Sequence, residues 1–388
     1  MKQFLLVLLV LFVISACSSA SKRSKYEKPM AKVDVMRAIA ATGDTTPVDL
    51  AGKNLSDLDL ASFNFSGATL KSTYFRYSDL KESNFQNADL SNADLRDASL
   101  AGSLMAGANL RGANLEDADL RGVVLDGADL SNANLTNAIL DRASMRNINL
   151  AGAKLTNSRL VKVYLGDSNL SSVDLRKVDL RGADLFGTIL RGANFEGTNL
   201  QSVDLSHADL TGANLVRADL SLANMQHALI FGADFRNATL HKTDLRGASA
   251  YRTSFLDSIL VQAQFRGATL TESNFANADM RDCNLFEVTA NNATFVWADL
   301  TGAIMRKSDF SSSNFSNAKL VDVSIRKSKL TFSKLIATNL TGSDMREVDF
   351  SGADISGANL KDTNMRGAKN MNRIINLDRA LNLEQSAL

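Results

Sequence analysis

A large apolar side chain recurs at every fifth residue through most of this chain. Counting in fives from Leu50 to Met365 gives 64 positions, and all but Ala250 and Ala290 hold Leu, Phe, Met or Ile. The residue two places earlier is nearly always small, and the other three places are mainly polar residues or Gly. A period of five fits neither an α-helix nor a plain strand. One unit buries almost nothing alone, so the pattern predicts a solenoid of stacked units.

The repeat resembles that of the pentapeptide-repeat proteins, whose motif reads A(D/N)LXX. It appears here, for example, at Ala93–Leu95, Ala108–Leu110 and Ala183–Leu185, and the resemblance covers roughly four fifths of the chain. The resemblance implies an all-β fold, the right-handed quadrilateral β-helix with four pentads per coil. About 16 coils are expected, with short helical caps at both ends.

A four-sided coil requires residues on one face to recur every twenty residues, and the sequence meets that requirement. One series, Leu60 to Leu360, is Leu in 15 of 16 coils, with Met280 as the exception. A second series, which includes Phe255, holds most of the inward Phe residues, and a third holds most of the Met. A wrong period would scramble these series, so the twenty-residue turn is supported without the family analogy.

The segments outside the repeats predict the remaining organisation of the chain. Residues 33–46 and 370–388 have apolar residues at helical spacing and are expected to cap the two ends of the solenoid, residues 47–369. In the first cap the apolar positions are Val33, Met36 and Ala40. Residues 1–16 combine a Lys, an apolar run and small residues, as in a secretory signal peptide.

The end of that signal resembles the lipobox of bacterial lipoproteins. Ile14–Cys17 reads Ile-Ser-Ala-Cys, which implies cleavage between Ala16 and Cys17 and attachment of diacylglycerol and palmitate-type chains to Cys17. Residues 17–32 would then form a flexible tether rich in Ser and Lys. Ser18 follows the Cys, which by analogy suggests sorting to the outer membrane, on the side that faces the periplasm.

No group of residues in the sequence predicts catalysis or a cofactor. Carboxylates recur at one place of the repeat, so any close pair is explained by the repeat itself. His207 and His227 are twenty apart and should stack in adjacent coils, but a third metal ligand is not obvious. Cys283 occupies a small inward position and is expected in the core. We therefore predict no enzyme, no cofactor and no metal.

Two departures from the repeat suggest binding surfaces. The first is a basic column on one corner with additional lysines beside it, a pattern that suits anions; its members are Arg246, Arg266, Arg306, Lys307, Arg326, Lys327, Lys329, Lys334, Arg346 and Arg366. The second is apolar and comprises Phe231, Tyr251 and Trp297.

These features favour a lipid-anchored scaffold at the bacterial envelope that binds a protein or another anionic envelope component. The alternative is an inhibitor that mimics a nucleic acid, as some members of the resembled family do. That mimicry needs a strongly acidic surface, whereas the formal net charge here is +1. No nucleic acid partner is expected, and an enzyme is the least favoured class.

Overall fold

The computed structural model describes residues 28–42 and 46–387. One α-helix, α1 (Lys32–Thr42), precedes a solenoid whose first pairing residue is Asp49. The predicted signal peptide, Cys17 and most of the tether lie outside the described residues. In the part of the chain that is described, no helix is both long and apolar enough to cross a membrane.

Successive coils pair through single parallel bridges between residues twenty apart, and a new bridge occurs every five residues. Each coil therefore has four sides, and the predicted twenty-residue turn is confirmed. We number the faces by their first large inward residue: face 1 begins at Leu50, face 2 at Leu55, face 3 at Leu60 and face 4 at Phe65. With coils about 4.8 Å apart, sixteen of them form a rod about 75 Å long.

The large residue at the centre of each pentad points into the coil and is buried along the whole rod. On face 2 the rings of Phe255, Phe275, Phe295 and Phe315 stack with centroids 4.7–5.0 Å apart. The small residues two places earlier are also buried. Where one is Ser or Thr, its hydroxyl commonly donates to a carbonyl of the preceding coil, as Thr73 does to the Leu50 oxygen at 2.9 Å.

The polar residue before each large one shapes the corner that follows. Its side-chain oxygen accepts a hydrogen bond from the backbone two residues on, as Asp89 Oδ1 does from Ser91 at 3.0 Å. The second corner residue is left-handed, as at Asn92 with φ 56° and Gly107 with φ 67°. Asp and Asn suit the first role, while Gly and Asn suit the second, which explains their places in the motif.

The helix at the amino-terminal end is present, but its expected buried face was wrong. Val33 and Met36 are 49% and 53% exposed, whereas Val35 is fully buried. The backbone N–H of Met30, just before α1, donates to the carbonyl of Asn54 at 2.8 Å. This contact fixes how the helix sits on the first coil, and tertiary pairing of this kind cannot be read from helical spacing.

The predicted helical cap at the carboxyl end consists of short 3₁₀ helices, and residues 370–387 form no α-helix. They make three 3₁₀ turns, Met371–Arg373, Leu377–Arg379 and Leu383–Gln385, each preceded by a left-handed Asn. Ile375, Leu381 and Ala387 continue the bridges of the solenoid. The period lengthens from five to six, and apolar residues three apart pack on the core. That spacing of three also occurs in α-helices, so the sequence pattern alone does not distinguish a continuous helix from these separate turns.

One coil near the middle of the rod is less tightly paired than the others. It carries Val at three of its four small inward places, Val163, Val173 and Val178, where Ala, Ser or Thr is usual. Extra methyl groups inside the filled cross-section of a coil push the neighbouring coils apart. Two bridges expected from the twenty-residue register are missing there, and the four residues concerned are Lys154, Asp174, Asp179 and Asn199.

The inward and outward assignment predicts different effects for two leucines that are two residues apart. Leu220 is fully buried, while Leu222 is 59% exposed at a corner. We expect Leu220→Ala to destabilise the rod by about 2–5 kcal/mol through the cavity it leaves, and Leu222→Ala to change stability by less than about 0.5 kcal/mol. Thermal unfolding followed by circular dichroism compares them, and equal melting temperatures would contradict the assignment.

Candidate binding surfaces

The predicted basic column lies at the corner between faces 4 and 1. Its guanidinium groups recur at coil spacing as expected, but several are neutralised. Arg246 pairs with Asp244 at 2.6 Å, and Arg346 pairs with Asp344 at 2.6 Å. Arg326 lies 3.9 Å from the same Asp344. The column is therefore not a continuous positive stripe, contrary to the expectation from sequence.

The lysines beside the column are also mostly paired. Lys307 contacts Glu287 at 3.5 Å, Lys327 contacts Glu347 at 3.7 Å, and Lys329 contacts Asp309 at 3.0 Å. Of the ten predicted basic residues, four have no ion-pair partner among residues 28–42 and 46–387. These four are Arg266, Arg306, Lys334 and Arg366.

A short sequence rule identifies eight of the paired arginines. When Asp occupies the place before the large inward residue and Arg the place after it, the two side chains lie together outside the coil and form an ion pair. Arg266, Arg306 and Arg366 instead follow Gln264, Ile304 and Asn364 at that spacing. The eight Asp–Arg pairs of this kind are 94/96, 119/121, 174/176, 179/181, 234/236, 244/246, 279/281 and 344/346.

Two of the unpaired arginines line one shallow groove. Arg266 and Arg306 lie on either side of Phe286, and Ile304 completes the lining with Asn284. The Arg266 guanidinium sits 5.3 Å from the centre of the Phe286 ring. An adjoining hollow arises where glycines replace larger corner residues, and it is lined by Gln226, His227, Arg246, Gly247, Arg266, Gly267 and Glu287. Together they offer an anion two uncommitted guanidinium groups beside an aromatic ring.

The three predicted apolar residues all lie on the corners of face 2, but they do not form one patch. Phe231 and Trp297 are exposed, at 38% and 63%. Tyr251 is held by polar contacts, because its hydroxyl lies 3.1 Å from Glu272 and the Arg252 guanidinium lies over its ring. Trp297 is two coils beyond Tyr251, or about 10 Å along the rod.

Trp297 has apolar neighbours that the sequence reading missed. Phe332 and Ile336 lie on the corners of face 2 two coils further on, and they are 69% and 36% exposed. Phe332 takes the left-handed corner place, with φ 57°, as Trp297 does with φ 61°. The rule that singled out Trp297, a bulky residue where Gly or Asn is usual, would also have found Phe332.

The remaining candidates belong to the framework. His207 and His227 stack with ring centroids 5.1 Å apart, as expected from their spacing, and Phe186 extends the ladder. In the described chain, no group of three or more His, Cys, Asp or Glu residues could hold a metal. Cys283 is buried as predicted, its thiol lies 3.0 Å from the Leu260 carbonyl, and burial raises its pKa.

This architecture defines a β-solenoid protein that exposes side chains on flat faces and corners rather than in an enclosed site. The profile of the family described as "Pentapeptide repeats" matches residues 54–285 and 293–367. The chain belongs to the pentapeptide-repeat family, and its fold is the right-handed quadrilateral β-helix. The unmatched interval, 286–292, contains Phe286 and Ala290, where the repeat departs from its pattern.

Solved structures of the same fold resemble the chain at low identity. HetL, a pentapeptide-repeat protein involved in heterocyst differentiation regulation in the cyanobacterium Nostoc sp. strain PCC 7120, is 25% identical, with 64% of this chain and 89% of HetL covered and a TM-score of 0.27. Full-length QnrB1, a plasmid-mediated fluoroquinolone resistance protein, is 18% identical, with 62% and 95% covered and a TM-score of 0.21. No curated protein sequence gave a significant match.

The Asp–Arg pairs predict how stability depends on pH. Hydrogen bonds from the arginines two residues later hold the pKa values of Asp119, Asp174 and Asp179 below the usual range, although partial burial opposes this. A carboxyl whose pKa is lowered by folding binds more protons in the unfolded chain, so its stabilisation is present above the unfolded pKa and is lost in acid. We expect a constant melting temperature from pH 5 to 7 and a fall below about pH 4.

Replacing Asp119, Asp174 and Asp179 together by Asn should make that fall shallower and should lower the melting temperature at pH 7. Thermal scans of both proteins across the pH range provide the comparison. Identical pH profiles for the variant and the parent would show that these pairs do not contribute.

Proposed function

We propose that this protein is a lipoprotein of the bacterial envelope, anchored through Cys17 and presenting a rigid β-helical scaffold for binding. The observation that carries the proposal is the combination of a lipobox-like segment, Ile14–Cys17, with an unbroken solenoid over 47–369. One lipid chain binds a membrane only marginally, whereas two or three anchor it stably. By the same sequence reasoning, the location is the outer membrane on its periplasmic side.

A scaffold is favoured over an enzyme by the kind of surface that the rod presents. Its carboxylates belong to a repeated structural role, as acceptors in the corner turns and as partners of arginine. Its single thiol within the repeats, Cys283, is buried and is a poor nucleophile because its pKa is raised. No catalytic activity forms part of the proposal.

Mimicry of a nucleic acid is disfavoured by the distribution of charge along the rod. Residues 47–141 carry 14 acidic and 7 basic side chains, whereas residues 142–181 carry 3 acidic and 8 basic side chains. The sign of the net charge then alternates again. Residues 182–305 carry 13 acidic and 8 basic side chains, and residues 306–369 carry 7 acidic and 11 basic side chains. A duplex has uniform negative charge along its axis. Alternating bands suit partners that match them in sign and spacing.

The groove around Arg266, Phe286 and Arg306 is the part of the basic column best suited to a partner. Its two guanidinium groups are free of carboxylates in the described chain, and they lie about 10 Å apart, two coils along the rod. An acidic protein or another anionic envelope component fits this charge. Arg246 and Arg346 are already neutralised and are not part of the proposed contact.

The anchor is tested by Cys17→Ala in the native organism or a related bacterium. We expect this change to abolish incorporation of labelled palmitate and to remove the lipid-dependent membrane fraction. Cys283→Ala is the matched control, because these are the only two cysteines of the chain and Ala is common at that inward place. Palmitate labelling that persists after Cys17→Ala would refute the anchor.

The groove is tested by Arg266→Ser combined with Arg306→Ser. We expect recovery of partners from solubilised envelopes to fall, most clearly at low salt, because screening shortens from about 30 Å at 0.01 M salt to about 8 Å at 0.15 M. Arg246→Ser combined with Arg346→Ser is the control and should bind as the parent does. An equal loss in both double variants, or no loss in either, would contradict the assignment.

A further inference from the structure

Face 2 has a distal patch, formed by residues 291–297, 311–317 and 331–337, whose composition is unlike the rest of the rod. These three consecutive coil sides contain no Asp or Glu, and Lys334 is their only charged residue. Lys334 is exposed and has no ion-pair partner in the described part of the chain. Elsewhere carboxylates recur in the repeat, so their absence over three coils makes this patch distinct.

The patch also carries the two most exposed aromatic residues among the described large hydrophobic side chains. Trp297 and Phe332 are 63% and 69% exposed, and Ile336 is 36% exposed. Trp297 and Phe332 occupy left-handed corner places, a conformation that bulky residues rarely adopt. Gly352 leaves room for the Phe332 ring, since a Cβ there would lie 2.6 Å from a ring carbon.

The carboxylates beside the patch on faces 1 and 3 are neutralised, while the next coil of face 2 carries Asp354, whose backbone bridges Lys334 and whose carboxylate accepts hydrogen bonds from Ser356 and Asn376. On face 3 the nearest carboxylate, Asp299, pairs with Lys319 at 3.4 Å, and on face 1 Asp309 pairs with Lys329 at 3.0 Å. The flat face thus presents aromatic and aliphatic groups at its two edges and one free ammonium between them. Trp297 lies about 10 Å from Phe332 along the rod, and the face is about 13 Å across.

We propose that the distal patch docks on the surface of an anionic lipid bilayer. Trp and Phe favour the membrane–water interface, and a Lys among them places its ammonium at headgroup phosphates while its stem stays in apolar surroundings. An anionic bilayer attracts such a face and repels faces that carry carboxylates. This inference depends on the proposed function in one respect, since the envelope anchor is what holds the rod beside a membrane.

The same face also sets the orientation of the docked rod. Near the anchor this face carries charges of both signs, with Lys53, Lys71 and Arg111 as well as Asp57 and Asp117, so it lacks the acid-free composition of the distal patch. We therefore expect the rod to meet the lipid through its distal coils rather than along its whole length. Residues 17–29, which precede the contact of Met30 with the first coil, can span up to about 45 Å when extended, which is enough to permit this orientation.

Trp297 is the only tryptophan of the chain, so its fluorescence reports on the patch directly. The full-length lipidated protein is reconstituted into vesicles of phosphatidylglycerol with phosphatidylethanolamine, and separately into phosphatidylcholine vesicles. In the anionic vesicles we expect emission to shift to shorter wavelengths and brominated acyl chains to reduce the intensity at least twofold, as for a side chain at the acyl boundary. In phosphatidylcholine both effects should be smaller.

Two controls locate the effect on the patch. Lys334→Glu should abolish the quenching, whereas Lys361→Glu makes the same charge change at an exposed lysine on the corner between faces 3 and 4 and should preserve it. A chain with Trp297→Phe and Leu222→Trp moves the probe to another exposed left-handed corner, away from face 2, and it should stay unquenched.

Flotation of the vesicles measures the anchor independently of the patch. If the protein floats but Trp297 stays unquenched in both kinds of vesicle, docking is overturned. Equal quenching of the Leu222→Trp probe also overturns it. If the reconstituted protein does not float with the vesicles, but anionic vesicles added to it still quench Trp297, the anchor is refuted and docking is supported.

Discussion

The narrow closed section of the coil is the constraint on which the rest of this structure depends. Four large and four small side chains must fill each turn, and each turn must stack on the next at the spacing of β-strands. Insertions that change the length of a pentad are therefore excluded from the repeats, and the core remains continuous from Leu50 to Met365. The coil with Val163, Val173 and Val178 shows the sensitivity of this arrangement, because three added β-branched side chains coincide with lost bridges.

Because the repeat determines which positions fill the interior, it also determines which positions lie on the surface. The place before each large residue receives Asp or Asn for the corner turn, so an Arg two residues later meets a carboxylate as soon as the coil forms. Most arginines of the rod are neutralised in this way or by a carboxylate of the adjacent coil. Positive charge is left over where neither the repeat position before the arginine nor the adjacent coil supplies a carboxylate, as at Arg266, Arg306 and Arg366. Binding capacity thus follows from local departures from the motif.

The corners are where the repeat leaves most freedom for side chains, and they carry the clearest functional signals. Small or Asx residues satisfy the left-handed place at little cost, so Trp297 and Phe332 are not explained by folding alone. Both lie on face 2, where three coils lack carboxylates. A rigid rod can expose such a face without losing stability, because its core does not depend on corner side chains.

The sequence by itself determined the architecture, since a five-residue period and series of period twenty specify which atoms face inward without any knowledge of long-range contacts. It also located Trp297, the burial of Cys283 and the stacking of His207 on His227, because each depends only on register. The tertiary structure decided which cations stay free, how α1 meets the first coil, and that the final coil changes to a period of six. These depend on distances between side chains in neighbouring turns and on pairing at an open end, which a repeat pattern does not encode.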